Sequence, residues 1–231
     1  MGYRRIRDEL ERHHDIGVND KRILRICRKE HIQSTIKWKP KNCTRNSNDP
    51  AHIAKNYLNR DFHADAPNEK WLTDVTEFKY YIGIEVHKVY LSAILDLFDR
   101  RIVAYVIGDH NDNPLVMNTF DAAVALEPGA HPLFHSDRGF QYTSKQFHTK
   151  IKKQHMKHSM SRVAHCIDNG PMEGFWGILK REKYYGRRFT SKADLVSAIE
   201  DYINYYNTQR IQRKLRLMTP VEYHEQYYSA A

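Results

Sequence analysis

The sequence predicts an α/β sandwich around one mixed sheet, preceded by a small basic helical segment. Three observations carry this. Between residues 71 and 107, three runs rich in β-branched and aromatic residues follow one another across short gaps, as antiparallel neighbours do. From residue 113 onward, helix-start signals alternate with one more short apolar run, which adds helices and a further strand to the same sheet. Charge then divides the chain: residues 1–60 hold 15 Lys and Arg against 7 Asp and Glu, residues 61–136 hold 5 against 12, and residues 137–231 hold 17 against 9, for a total of +9. Basic ends suit a polyanion such as nucleic acid. Acid between them suits either plain surface or a cation site on that polyanion.

The elements follow in order. In residues 3–30, Tyr3, Ile6 and Leu10 share a helical face, Gly17 interrupts, and Asn19 or Asp20 caps a second helix that buries Ile23, Leu24 and Cys27. Arg22, Arg25, Arg28 and Lys29 give that helix a basic stripe, the candidate DNA-binding face of a segment spanning 1–36. Residues 37–68, with Pro40, Pro50, Pro67 and many asparagines, read as a linker to a core at 69–231. Strands are expected at Trp71–Tyr81, Val86–Phe98, Arg101–Ile107 and Leu133–Ser136. Helices are expected from Asn113-Pro114 to Leu126, from Ser144 to His155, from Gly170-Pro171 to about Tyr185, after Ser191, and after a capping box at Thr219–Glu222.

Some classes drop out. No apolar run approaches the roughly 20 residues of a membrane span, so the expectation is a cytoplasmic protein with no membrane partner. Cys27, Cys43 and Cys166 are odd in number and widely spaced, which fits neither a disulfide framework nor a CxxC zinc site.

Three acids then stand out. Aspartate is disfavoured inside strands, yet Asp74 lies within WLTDVTEF and Asp137 follows a strand directly in FHSDRGFQY. Glu173, in DNGPMEGFWGILKRE, falls at the third position of the helix opened by Gly170 and Pro171, where a carboxylate also suits the helix dipole. Between Asp137 and Glu173 lie 35 residues. Gly139 is read as letting the chain turn sharply away from Asp137. Asp96 is the rival acid, Asp168 reads as a loop or cap residue, and Trp176 as core against base stacking. His135 either orients a carboxylate or water, or is a hydrogen-bonded structural residue.

The spacing resembles that of DDE transposases and retroviral integrases. MGYRRIRDEL, VNDKRILRICRKE, LNRDF, APNEKWLTDVTEF, FHSDRGFQYTS, DNGPMEGFWGILKRE and YINYYNTQRIQRKLRLMTPVEY together resemble the second-frame, integrase-like product of the bacterial insertion-sequence-three family, over nearly the whole chain. Gly170 and Gly174 stand where that family usually has alanine and a small polar residue; both are small, which preserves the helix start. The resemblance implies a ribonuclease-H-like mixed five-stranded sheet flanked by helices, with a helix-turn-helix-like N-terminal segment. It implies a DNA transposase, with Asp74, Asp137 and Glu173 catalytic and holding Mg2+ or Mn2+, two ions in all. Lys180, two turns beyond Glu173, would be a DNA contact. It further implies DNA partners in the element ends and the target, a homo-oligomer on DNA, and fusion to an upstream reading-frame product. The family carries a further helical stretch before GYRRI, so the start at Met1 is read as a truncated copy or a late start. Two readings stand beside the transposase: a catalytically silent DNA-binding fragment that regulates transposition, and a metal-dependent nuclease without strand transfer.

Overall fold

A computed structural model describes residues 2–34, 52–162 and 166–230. Two N-terminal helices, α1 (Tyr3–His14) and α2 (Asp20–Lys29), pack on each other, and the Asn19 side chain caps α2 by accepting from Lys21 N at 2.8 Å. Ile23 and Cys27 are buried as expected, while Leu24 is only partly so. Residues 35–51, the end of the expected N-terminal segment and the first part of the expected linker, lie outside the described residues. From residue 52 the chain has no regular structure, yet Ala54, Leu58 and Ala64 are buried, so this part lies on the core as an arm.

The sheet has five strands: β1 (Lys70–Ile82), β2 (Glu85–Asp96), β3 (Ile102–Gly108), β4 (Leu133–Ser136) and β5 (Lys157–Met160), in the order β3-β2-β1-β4-β5. The first three are antiparallel, and β4 and β5 run parallel to β1. Strand alternation sends side chains to two faces. On one face Leu72, Phe78 and Leu91 meet α5 (Gly170–Leu179) and α6 (Lys192–Thr208) through Phe175, Trp176, Ile199 and Tyr202. On the other, Trp71, Ile94 and Phe134 meet α3 (Asn113–Leu126) and α4 (Lys145–Lys153) through Val116, Phe120, Phe147 and Ile151. A last helix, α7 (Pro220–Ala230), opens with the expected reciprocal cap between Thr219 and Glu222.

Helix starts shift by one residue. Asp112, not Asn113, caps α3, accepting from Leu115 N. Asn169, not Gly170, stands before α5, so Glu173 is its fourth residue. That helix also ends early: after Leu179 the chain enters a wider π turn over Lys180–Tyr184 instead of continuing regularly to Tyr185.

Candidate active site

The site follows from where β1 and β4 part. Their parallel pairing covers only Lys70–Leu72 against Leu133–His135. Continuing that register by two places sets Asp74 level with Asp137, just past the carboxyl end of β4. In open α/β sheets, ligand crevices form at such ends.

Beyond Leu72, β1 has no strand on that edge, and its odd-numbered backbone groups need other partners. The segment after residue 168 supplies them. Asn169 Nδ2 donates to Thr73 O at 3.0 Å, Lys180 Nζ to Glu77 O at 2.9 Å, and the Tyr184 hydroxyl meets Lys79 N and O at 3.0 and 3.2 Å. Tyr81 N donates to Phe189 O at 2.9 Å. The Val75 N–H is taken by the Asp74 carboxylate itself, at 2.8 Å. These bonds lay α5 along β1 and bring Glu173 toward the two aspartates.

Each acid has a distinct setting. Asp74 Oδ2 accepts from Trp176 Nε1 at 3.0 Å, so Trp176 is both core and a rotamer lock for Asp74. Burial, then the charge of Asp137 and more weakly that of Glu173, push the Asp74 carboxyl up to about 7, against the opposing bonds from Val75 N and Trp176. Burial also raises Asp137, opposed by the Gly139 N–H that donates to its Oδ1 at 2.8 Å. Glu173 is the most exposed of the three, and partial burial raises it. Three mutually repelling carboxylates, with no sulfur, form a donor set suited to hard divalent cations such as Mg2+.

The other candidates fall elsewhere. Lys180 does not face outward: it is 7% exposed, with Nζ 2.5 Å from Thr76 Oγ1 and 4.8 Å from the centre of the Phe78 ring. Its Nζ is turned onto β1 instead of toward solvent. Asp96 pairs across from Trp71, three residues along from the Asp74 position, about 10 Å away. Its oxygens cap turns at Asn68 N and Phe98 N. His135 is fully buried, its ring nitrogens bonded to Ser159 and Ser161 hydroxyls at 2.9 and 3.1 Å, and burial holds it down near 4. It is the structural histidine of the two alternatives. Asp168, also buried, is gripped by Arg162 and Arg60, which pin the turn before α5. Gly139 does not have positive φ; it permits close approach, since a Cβ there would lie 3.0 Å from Asp137 Oδ1. Arg22, Arg25, Arg28 and Lys29 are all exposed along α2. Trp176 and Asn169 as supports of the acid site were missed in the sequence. For Trp176 the available signal was its place one turn after Glu173.

Comparison with known proteins agrees with this architecture. Residues 64–166 and 173–228 match integrase core domain families, and residues 1–40 match an HTH-like domain. The chain is 38% identical over 98% of its length to the putative transposase InsK for insertion sequence element IS150 of Escherichia coli K12, spanning 78% of that protein. It is 40% identical over 91% of its length to a transposase-like protein of Haemophilus influenzae, spanning 95% of it. It is also 29% identical over 68% of its length to the transposase InsF of IS3A from Escherichia coli K12, spanning 54% of that protein. In fold it resembles the HTLV-2 integrase catalytic core domain, a structure in complex with magnesium, with a TM-score of 0.55 at 23% identity over 70% of this chain and 99% of that one. With a DNA-binding HTH-like segment ahead of a ribonuclease-H-like integrase core, this chain belongs to the insertion-sequence transposases, enzymes of DNA integration.

Proposed function

We propose that Asp74, Asp137 and Glu173 are the catalytic and metal-holding residues with which this transposase cuts DNA at its element's ends and joins them to a target. What supports the reading is that Asp137, one residue past β4, and Glu173, on α5, both lie near enough to Asp74 for their charges to act on it where β1 and β4 part. Asp74 is locked by Trp176 and Val75 N, and Asp137 by Gly139 N. Each therefore presents an ordered oxygen, while the more exposed Glu173 is free to close on a bound ion. Bound there, two Mg2+ or Mn2+ ions supply activation of the attacking hydroxyl and stabilisation of the leaving oxygen. The protein's own part is to hold the carboxylates and the scissile phosphate in line.

The two exposed aspects divide the labour. Residues 1–36 form the DNA-binding unit, with Arg22, Arg25, Arg28 and Lys29 on phosphates, and residues 69–231 the catalytic core, joined through 37–68. The active form is a homo-oligomer on DNA in the cytoplasm, carrying the upstream reading-frame product as a fusion that supplies end recognition. Labelled element ends incubated with Mn2+ and target plasmid test this. Joined products that disappear in Asp74→Ala, Asp137→Ala and Glu173→Ala, with DNA binding retained, are expected. Nicks alone favour the nuclease, a band shift alone favours the silent regulator, and cleavage in EDTA overturns the metal reading.

A further inference from the structure

We propose that His52, His148 and His158 form a transition-metal site of the zinc class, separate from the carboxylates, that fastens the arm entering the core onto β5 and α4. The three come from different elements: His52 from the arm, His148 from α4 and His158 from β5. One ring nitrogen of each lies within 4.8 Å of the other two. A tetrahedral zinc with bonds of about 2.0–2.1 Å needs nitrogens about 3.4 Å apart, so closing the site takes only modest ring rotations.

Hydrogen bonding identifies the free nitrogens. Ser136 has one hydroxyl proton and gives it to Asp137 O at 2.9 Å. Its 3.0 Å contact with His158 Nε2 must then have the ring as donor. That tautomer leaves Nδ1 of His158 as a bare lone pair, and this atom is buried without a hydrogen-bond partner. Nδ1 of His148 is likewise buried and unpartnered. A buried acceptor with nothing to accept from is costly; a cation satisfies it. The N–H that a ligating imidazole turns away from its metal normally meets an oxygen, as His158 does with Ser136. Burial holds both His148 and His158 below the ordinary imidazole range, His158 to about 3, so both are in the neutral form that binds metals.

The donor set separates this site from the carboxylate site. Three imidazoles without carboxylate favour Zn2+ and its neighbours, whereas three carboxylates favour Mg2+ or Mn2+. The arm already touches β5, where the Ser159 hydroxyl accepts from Tyr57 N and Leu58 N at 2.9 and 3.1 Å. A shared ion would convert that contact into a crosslink.

The test uses the full chain, stripped with EDTA, carrying Asp74→Asn, Asp137→Asn and Glu173→Gln so that the carboxylates cannot hold the ion. Calorimetry should show one tight Zn2+ equivalent, and Co2+ should give the intense visible bands of a four-coordinate site with three imidazoles and one water. His52→Ala and His148→Ala, both at partly exposed positions, should each weaken binding by at least about tenfold without changing the metal-free circular dichroism. Zn2+ should also slow tryptic cleavage after exposed Lys55. Absence of saturable binding, binding unchanged in both variants, or the weak bands of octahedral Co2+ would each overturn the site. Tight binding that leaves Lys55 equally cleavable would overturn the fastening role.

Discussion

At the scale of single residues, the acids are shaped by what touches them. Gly139 illustrates this: an added Cβ would meet Gln141 Oε1 at 2.9 Å and Asp137 Oδ1 at 3.0 Å. Gln141 is buried and its amide donates to Asn111, so it has little room to yield. Gly139→Ala should therefore lower metal-dependent strand cleavage by about tenfold or more, near the cost of a misplaced ligand. Gly174→Ala, with open space around it, should leave cleavage unchanged. Asp74 gives a pH prediction. Its folded-state value is raised from 3.8 to about 7, so between those values the folded chain binds more protons than the unfolded one. Metal-free stability must then fall as pH rises from about 4 to 7. Asp74→Asn, which cannot titrate, should melt higher than the wild type at pH 8 without metal, with the gap closing toward pH 4. Equal melting temperatures at pH 8 would show that Asp74 carries no such burden. The two aspartates stood out in the sequence, because aspartate in and just after apolar strands contradicts strand preference, whereas Glu173 was singled out by its spacing from Asp137 and the family resemblance. Their supports were not: the Trp176 bond to Asp74 depends on how α5 is laid against β1, which no local pattern encodes.

Among the elements, legibility follows polarity. The run at Leu133–Ser136 was recognisable as a strand from its apolar start, and β4 has those bounds. Its neighbour β5, Lys157–Met160, carries no apolar signal because His158 and Ser159 are buried polar residues, bonded across to Ser136 and His135 of β4. A fifth strand was expected only from the family resemblance. The π turn after Leu179 was equally invisible, and so was the burial of Lys180. That lysine acts as a cap on the unpaired edge of β1, through Thr76 Oγ1 and Glu77 O. Lys180→Met should cost about 1–3 kcal/mol of stability by stranding buried partners. The salt dependence of DNA binding should stay as it was. A slope reduced by about 0.9, the signature of one phosphate no longer neutralised, would return Lys180 to the DNA surface.

Across the whole molecule, the N-terminal helices are docked by charge. Arg213 reaches Asp8 at 2.8 Å and Asp20 at 3.1 Å, Arg5 reaches Glu182 at 3.3 Å, and Arg12 reaches Glu222 at 2.6 Å. Arg5 and Arg12 of α1 are thus neutralised by acids of the core, and the α2 stripe is an exposed positive face. Replacing Arg22, Arg25, Arg28 and Lys29 together by Gln should reduce the slope of log K against log salt by up to about 3.6, at about 0.9 for each phosphate left without its cation. The effect should be the same for element-end and scrambled duplexes. A reduction confined to element ends would mean that α2 reads bases rather than phosphates.

The parting of β1 and β4 has one more consequence. Strands in a sheet lie about 4.8 Å apart, a repeat fixed by peptide hydrogen bonding. Asp74 and Asp137 stand beyond the last paired residues, Leu72 and His135, where that interval no longer binds the two strands. The fit to a pair of cations some 3.5–4 Å apart therefore rests on the side-chain and loop contacts that hold each carboxylate, Trp176 on Asp74 and the Gly139 N–H on Asp137, and a single substitution there can retune it.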